Sequence, residues 1–97
     1  MRQITQESVS AFLNNQSFRS GNMKVSPSNN KNYLYLHDNI IAIKDINTGA
    51  ISITNAGWQS NTTKERLNAL PNVSIYQKKG VWYLNGKVWD GKLIDVN

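Results

Sequence analysis

Few side chains in this 97-residue sequence have the type and spacing to do chemistry. Acid–base or nucleophilic catalysis needs a base and a second group that orients it. The one histidine, His37, stands at a hairpin end beside Asp38, which belongs to the turn, so it reads as a solvated hairpin histidine. Asp38, Asp45, Asp90 and Asp95 fall in turns or the tail, where Asp usually bonds its own backbone. No His, Asp and Glu share a metal-ligand spacing, and without cysteine there is neither a thiolate zinc site nor a disulfide. No catalytic residue, metal or cofactor is expected. Gly86 to Lys92 spells G-x-x-x-x-G-K, the start of a phosphate-binding loop, but Leu93 follows where Ser or Thr is required. With no helix able to follow it, the pattern reads as two glycine turns.

Two features point to binding instead. In Ser60-Asn61-Thr62-Thr63-Lys64-Glu65-Arg66, hydroxyls and bases gather at a helix start, where free N–H groups and the dipole favour an anion. Ser60, Thr62, Thr63, Lys64 and Arg66 are the candidates there; the competing reading is a cap and a solvated helix face, and Glu65 counts against an anion. The second feature is a row of Tyr76, Trp82 and Trp89 across three strands, with Lys78, Lys79 and Lys87 beside it. Aromatic rings beside positive charge stack nucleic-acid bases. The competing reading is that a helix, such as the one carrying Phe12, covers the row.

The elements that must hold these residues can be read from periodicity. Val9, Phe12 and Leu13 follow helical spacing after Thr5, a candidate N-cap, with Ile4 and Val9 as its staple and Glu7 in the first turn. Met23 to Val25 reads as an edge strand stopped by Ser26-Pro27. Tyr33 to His37 and Ile40 to Lys44 flank a turn at Asp38-Asn39, which pairs Leu36 with Ile41 and Leu34 with Ile43. Ile51 and Ile53 then join Leu34, Leu36, Ile41 and Ile43 on one apolar face, leaving Tyr33, Tyr35, His37, Ala42 and Lys44 on the other. Thr62 and Glu65 form a capping box for a helix from Thr63 to Leu70, ended by Pro71. A loop at Lys78-Lys79-Gly80 and a turn at Asn85-Gly86 organise the last three strands, so that Tyr76 opposes Trp82 and Trp82 opposes Trp89. The expected fold is α+β over a single domain, 1–97: a short helix, an antiparallel meander of three to four strands, a short second helix and a C-terminal three-stranded meander.

Composition agrees with a binding role. Eleven Lys+Arg against six Asp+Glu leave a net charge of +5, a balance that favours polyanions. No apolar run approaches the ~20 residues that span a bilayer, and the first residues lack the apolar stretch of a signal peptide. A cytoplasmic address and no membrane partner are the expectation.

Tyr35-Leu36-His37, Ile41-Ala42, Asn55 through Asn68 and Trp82-Tyr83-Leu84-Asn85-Gly86-Lys87 resemble a small family of tailed-bacteriophage and prophage proteins, from about Tyr33 to Gly91. That resemblance transfers no catalytic residue. It implies a phage gene product acting in the bacterial cytoplasm, where small accessory proteins act by binding. The leading expectation is therefore a non-enzymatic accessory protein that binds nucleic acid. The alternative is an inhibitor or interaction module that docks on a host protein, such as a defence, replication or transcription factor. A homodimer through the aromatic row is a further option.

Overall fold

Buried and half-buried residues alternate from Met23 to Ser26 and again from Asn32 to Leu36, the mark of strands with one covered face. The structure, a computed structural model, describes residues 2–96; Met1 and Asn97, the ends of the expected domain, lie outside the described residues. Helix α1 (Gln3–Leu13) is followed by strands β1 (Phe18–Ser20), β2 (Met23–Ser28), β3 (Lys31–Leu36), β4 (Asn39–Asp45) and β5 (Ile51–Ile53). Helix α2 (Asn61–Asn68) leads to β6 (Ile75–Lys78), β7 (Val81–Leu84), β8 (Lys87–Val88) and β9 (Ile94–Asp95). All pairings are antiparallel, in a six-stranded sheet ordered β1-β2-β3-β4-β5-β9 and a three-stranded sheet β6-β7-β8. The fold is α+β: N-terminal helix, meander, second helix, C-terminal three-stranded sheet. No described helix is long and apolar enough to cross a membrane.

The meander is longer than the pattern suggests. β1 takes the edge that was expected of Met23–Val25, and β2 runs through Pro27. Proline is tolerated there because β1 pairs only with Met23 to Val25, so Pro27 faces no donor-seeking neighbour on that side. The tail supplies β9, whose Ile94 and Asp95 pair with Ile53 and Ser52.

The β3–β4 register differs from the expected one. The turn is His37-Asp38, not Asp38-Asn39, and both residues take left-handed φ angles of 50° and 64°. Leu36 therefore pairs with Asn39 and Tyr35 with Ile40, while Leu34 pairs with Ala42. Ile41 is the extra residue of a bulge, which restores the apolar face one position late. Ile41 and Ala42 are consequently both buried, and Ile43 moves to the outer face with Tyr33 and Tyr35. Ile51 and Ile53 share a face with Ala42 and Lys44 rather than with Ile43. Lys44, expected outside, lies on the helix side and its Nζ donates to the Leu13 carbonyl at 2.5 Å. Buried Asn32 donates to the Phe12 carbonyl at 3.0 Å. Sheet side chains thus satisfy the orphan carbonyls at the end of α1.

The helix starts also move. α1 begins at Gln3 behind Arg2, and Thr5 is a buried residue inside it rather than its cap; Glu7 is past the first turn. α2 is capped by Ser60, whose hydroxyl accepts from the Thr63 N–H at 3.1 Å, so the expected Thr62–Glu65 box does not form. Thr5 and Glu65 are engaged elsewhere. Thr5 Oγ1 donates to Glu65 Oε1 at 2.6 Å and accepts from Arg66 Nη1 at 2.7 Å. Arg66 Nη1 also bonds Glu65 Oε1, and Nη2 reaches Asn22 Oδ1 at 3.3 Å. One guanidinium therefore ties α2 to α1 and to the β1–β2 turn. Burial raises the pKa of the Glu65 carboxyl, but the bonds from Thr5 and Arg66 and the Arg66 charge outweigh that, so it titrates below the usual range.

Helix α2 in turn covers the three-stranded sheet. Asn68 bonds both backbone groups of Ile75, donating from Nδ2 at 3.0 Å and accepting at Oδ1 at 2.6 Å. Near β9, Asn55 packs on Gly91, where an added Cβ would lie 2.1 Å from Asn55 Nδ2 at a φ of +89°.

Arg66→Met leaves Glu65 and Thr5 without their cation and is expected to cost about 3 kcal/mol in urea unfolding at neutral pH; a loss below ~1 kcal/mol would contradict the network. Because the folded Glu65 pKa is depressed, its contribution is present above the unfolded pKa and fades as pH drops through the folded one. Wild-type urea midpoints should fall between about pH 5 and pH 3, and Glu65→Gln should remove part of that slope. Gly91→Ala should destabilise by about 2 kcal/mol or more. Gly86→Ala, at a φ of +88° but with open space around it, should cost clearly less; equal losses would show that backbone strain alone matters at Gly91.

Candidate functional site

The expected aromatic row does not form. The β6–β7 connection is a two-residue turn, Lys79-Gly80, with left-handed φ angles of 52° and 78°, not a three-residue loop. That one-residue difference pairs Tyr76 with Tyr83 and Gln77 with Trp82, which puts Tyr76 on the opposite face from the tryptophans. Tyr83 opposite Val88 and Leu84 opposite Lys87 stand as expected around Asn85-Gly86. Trp82 is 1% exposed and Trp89 6%, so neither ring is open to a base. Helix α2 contributes the cover over Trp82: the Lys64 ammonium sits 5.6 Å from the Trp82 ring centroid and donates to Gln77 Oε1 at 3.0 Å, while both tryptophans share the buried core with Phe12. Trp89 Nε1 donates to the Lys92 carbonyl at 3.0 Å, whereas buried Trp82 Nε1 has no protein partner.

The other expected site residues separate into three places. Arg66 is 1% exposed within the Thr5–Glu65–Asn22 network and does not face solvent. Lys78, Lys79 and Lys87 are exposed on the three-stranded sheet, whose outer face carries Tyr76, Val81, Tyr83 and Val88. There the Tyr76 and Tyr83 rings stack at 5.1 Å, and Val88 is 69% exposed. Ser60, Thr62 and Thr63 line a cleft of about 400 Å³ with Leu36, His37, Asn39, Ile41, Asn55 and Trp58.

The outer face of the six-stranded sheet holds residues that the sequence reading did not single out as a site. Arg19 pairs with Lys24, Lys24 with Tyr35, and Lys31 lies two residues before Tyr33 on the same strand face. Tyr33 and Tyr35 have ring centroids 6.5 Å apart at 50°, and the Lys24 ammonium lies 5.0 Å from the Tyr35 centroid. All five side chains are exposed or half-buried. Asp45 lies 3.7 Å from Lys31, and the pKa of its carboxyl is lowered chiefly by the N–H of Thr48. The alternation Lys31-x-Tyr33-x-Tyr35 was visible in the sequence. Its partners Arg19 and Lys24 were not, because β1 and the length of β2 were not.

This face leads to the cleft through the β3–β4 turn. A shallow pocket bounded by Arg19, Asn22, Lys24, His37 and Asp38 shares His37 with the cleft. On the far wall, Asn55 sets the loop bearing Trp58: its carbonyl accepts from Trp58 N–H at 2.9 Å and its Oδ1 from Gly57 N–H at 2.8 Å. Ala56 and Gly57 take left-handed φ angles of 55° and 86°, and Trp58 is left 63% exposed. The described residues contain no group of three or more His, Asp or Glu placed to hold a metal ion.

No curated protein and no solved structure matches the chain. The family model described as Kyanoviridae Gp96 protein matches residues 1–95, which takes in the whole stretch that resembles phage proteins. The chain belongs to this phage protein family.

Proposed function

We propose that this phage protein is a non-enzymatic accessory protein that binds single-stranded nucleic acid on the outer face of the six-stranded sheet, in the cytoplasm of the bacterial host. The observation that carries this reading is the grouping of Tyr33 and Tyr35 with Arg19, Lys24 and Lys31 on one open antiparallel face. Unpaired nucleobases stack on such rings at ~1–3 kcal/mol each while the Arg and Lys side chains hold phosphates. The net charge of +5 adds long-range attraction. The His37 ring makes no hydrogen bond to any described side chain or backbone group, which leaves it without the orienting partner that a catalytic base needs.

A second reading rests on the three-stranded sheet. Its outer face is aliphatic as well as aromatic, and an exposed Val81, Val88 and Tyr76 around Tyr83 suit a protein partner better than a base. The host-protein alternative belongs there.

Anisotropy titration of a labelled single-stranded oligonucleotide tests both. With about three phosphates neutralised, affinity should fall ~20-fold between roughly 50 and 200 mM salt. Arg19→Glu with Lys24→Glu should abolish binding, and Tyr35→Ala should weaken it ~10-fold. No binding at the lower salt overturns the nucleic-acid reading. A host protein that co-purifies stoichiometrically after nuclease treatment, and is lost on Tyr76→Ala with Val88→Lys, would establish the second reading in its place.

A further inference from the structure

The Trp58 cleft has a chemistry of its own. Its floor is apolar, from Leu36 and Ile41, and its volume of about 400 Å³ lies within the range of small-molecule sites. No Lys, Arg, Asp or Glu lines it, so apart from the His37 ring the lining offers no partner for a charged ligand group. One wall is the exposed face of Trp58, held on a loop that Asn55 pins through two hydrogen bonds. An exposed indole on a fixed loop beside an apolar floor suits a flat ring, stacked on one side and desolvated below.

The polar groups narrow the choice. Ser60 Oγ and Thr63 Oγ1 are already engaged with one another at 2.9 Å and with the Thr63 N–H. Asn39 uses Nδ2 on the His37 carbonyl at 3.2 Å, while its Oδ1 and the Thr62 hydroxyl bond no described group. An amide acceptor, a hydroxyl that can donate and the His37 ring therefore remain in the lining. A planar ring with adjacent donor and acceptor on its edge satisfies the amide and the hydroxyl; a purely apolar ring satisfies neither.

We infer that the cleft binds a single unstacked nucleobase between Trp58 and the Leu36–Ile41 floor, with Asn39 and Thr62 meeting its edge. The base comes either from a free nucleoside or from a strand that crosses the Tyr33/Tyr35 face and turns in at His37. The second source rests on the nucleic-acid reading above; the pocket chemistry does not. Phosphates would stay outside, near Arg19 and Lys24 on the other side of His37.

Backbone amide shifts of the full chain, read during titration with each of the four nucleosides and with short single-stranded oligonucleotides, test the inference. The expected result is saturable shifts at His37, Asn39, Trp58 and Thr62, with a nucleoside Kd of about 1 mM or tighter. Trp58→Ala, a change at an exposed side chain, should weaken this ~10-fold, and Thr62→Val by a smaller factor. Nucleosides that shift these amides while oligonucleotides do not bind would uphold the pocket for a free nucleoside and sink the nucleic-acid reading. Oligonucleotides that bind through the sheet but leave the cleft amides unmoved, with nucleosides also silent, would overturn the pocket and leave that reading standing. Shifts undiminished in Trp58→Ala would overturn it as well.

Discussion

A buried guanidinium holds this small fold together. Arg66 has almost no exposed surface, and such a cation is tolerated only where acceptors surround it. Glu65, Thr5 and Asn22 provide them, from α2, α1 and the β1–β2 turn. Arg66 Nε and Glu65 Oε2 are buried without a protein partner, so the satisfaction is incomplete. The constraint nevertheless propagates. It sets α2 against α1, which leaves the start of α2 at the cleft and Lys64 and Asn68 over the three-stranded sheet.

The same constraint explains which surfaces remain open. α1 and α2 between them take the inner faces of both sheets, and the tryptophans Trp82 and Trp89 go into the core with them. Left outside are tyrosine, valine, lysine and arginine on two separate sheet faces, Trp58 on a loop, and Leu93 and Ile94 at β9. Positive charge is therefore shared between faces and not focused on one. Arg19, Lys24 and Lys31 belong to the larger sheet, and Lys78, Lys79 and Lys87 to the smaller.

Much of the architecture was legible because it depends on local pattern. Both helices, the meander, the Asn85-Gly86 hairpin and the tyrosine face of β3 follow from period and turn chemistry. The errors of strand register have one physical source. A strand alternates with period two, so a turn misplaced by one residue exchanges its faces. Reading Lys78-Lys79-Gly80 as the loop instead of Lys79-Gly80 brought Tyr76 beside the tryptophans. Placing the earlier turn at Asp38-Asn39 gave Leu34 and Leu36 the right face but hid the bulge at Ile41, which exchanges Ala42 and Ile43. Lys79 takes a positive φ that its residue type does not announce, and His37, Asp38 and Asn39 all tolerate one, so type does not choose between the two adjacent turns.

The sequence by itself determined the class of molecule: an α+β chain with net positive charge and no cysteine chemistry, in a phage family. Residue type and spacing are enough for that, because they act through local propensity and composition. Tertiary structure decided which side chains meet solvent. Arg66 and the two tryptophans left the candidate surface, because a cation needs three elements to surround it and an indole needs a helix to cover it. Trp58, Arg19 and Lys24 entered it for the complementary reason. Their exposure depends on an Asn55–Gly91 contact and a β1–β2–β3 register between residues distant in the chain, and no local pattern encodes that.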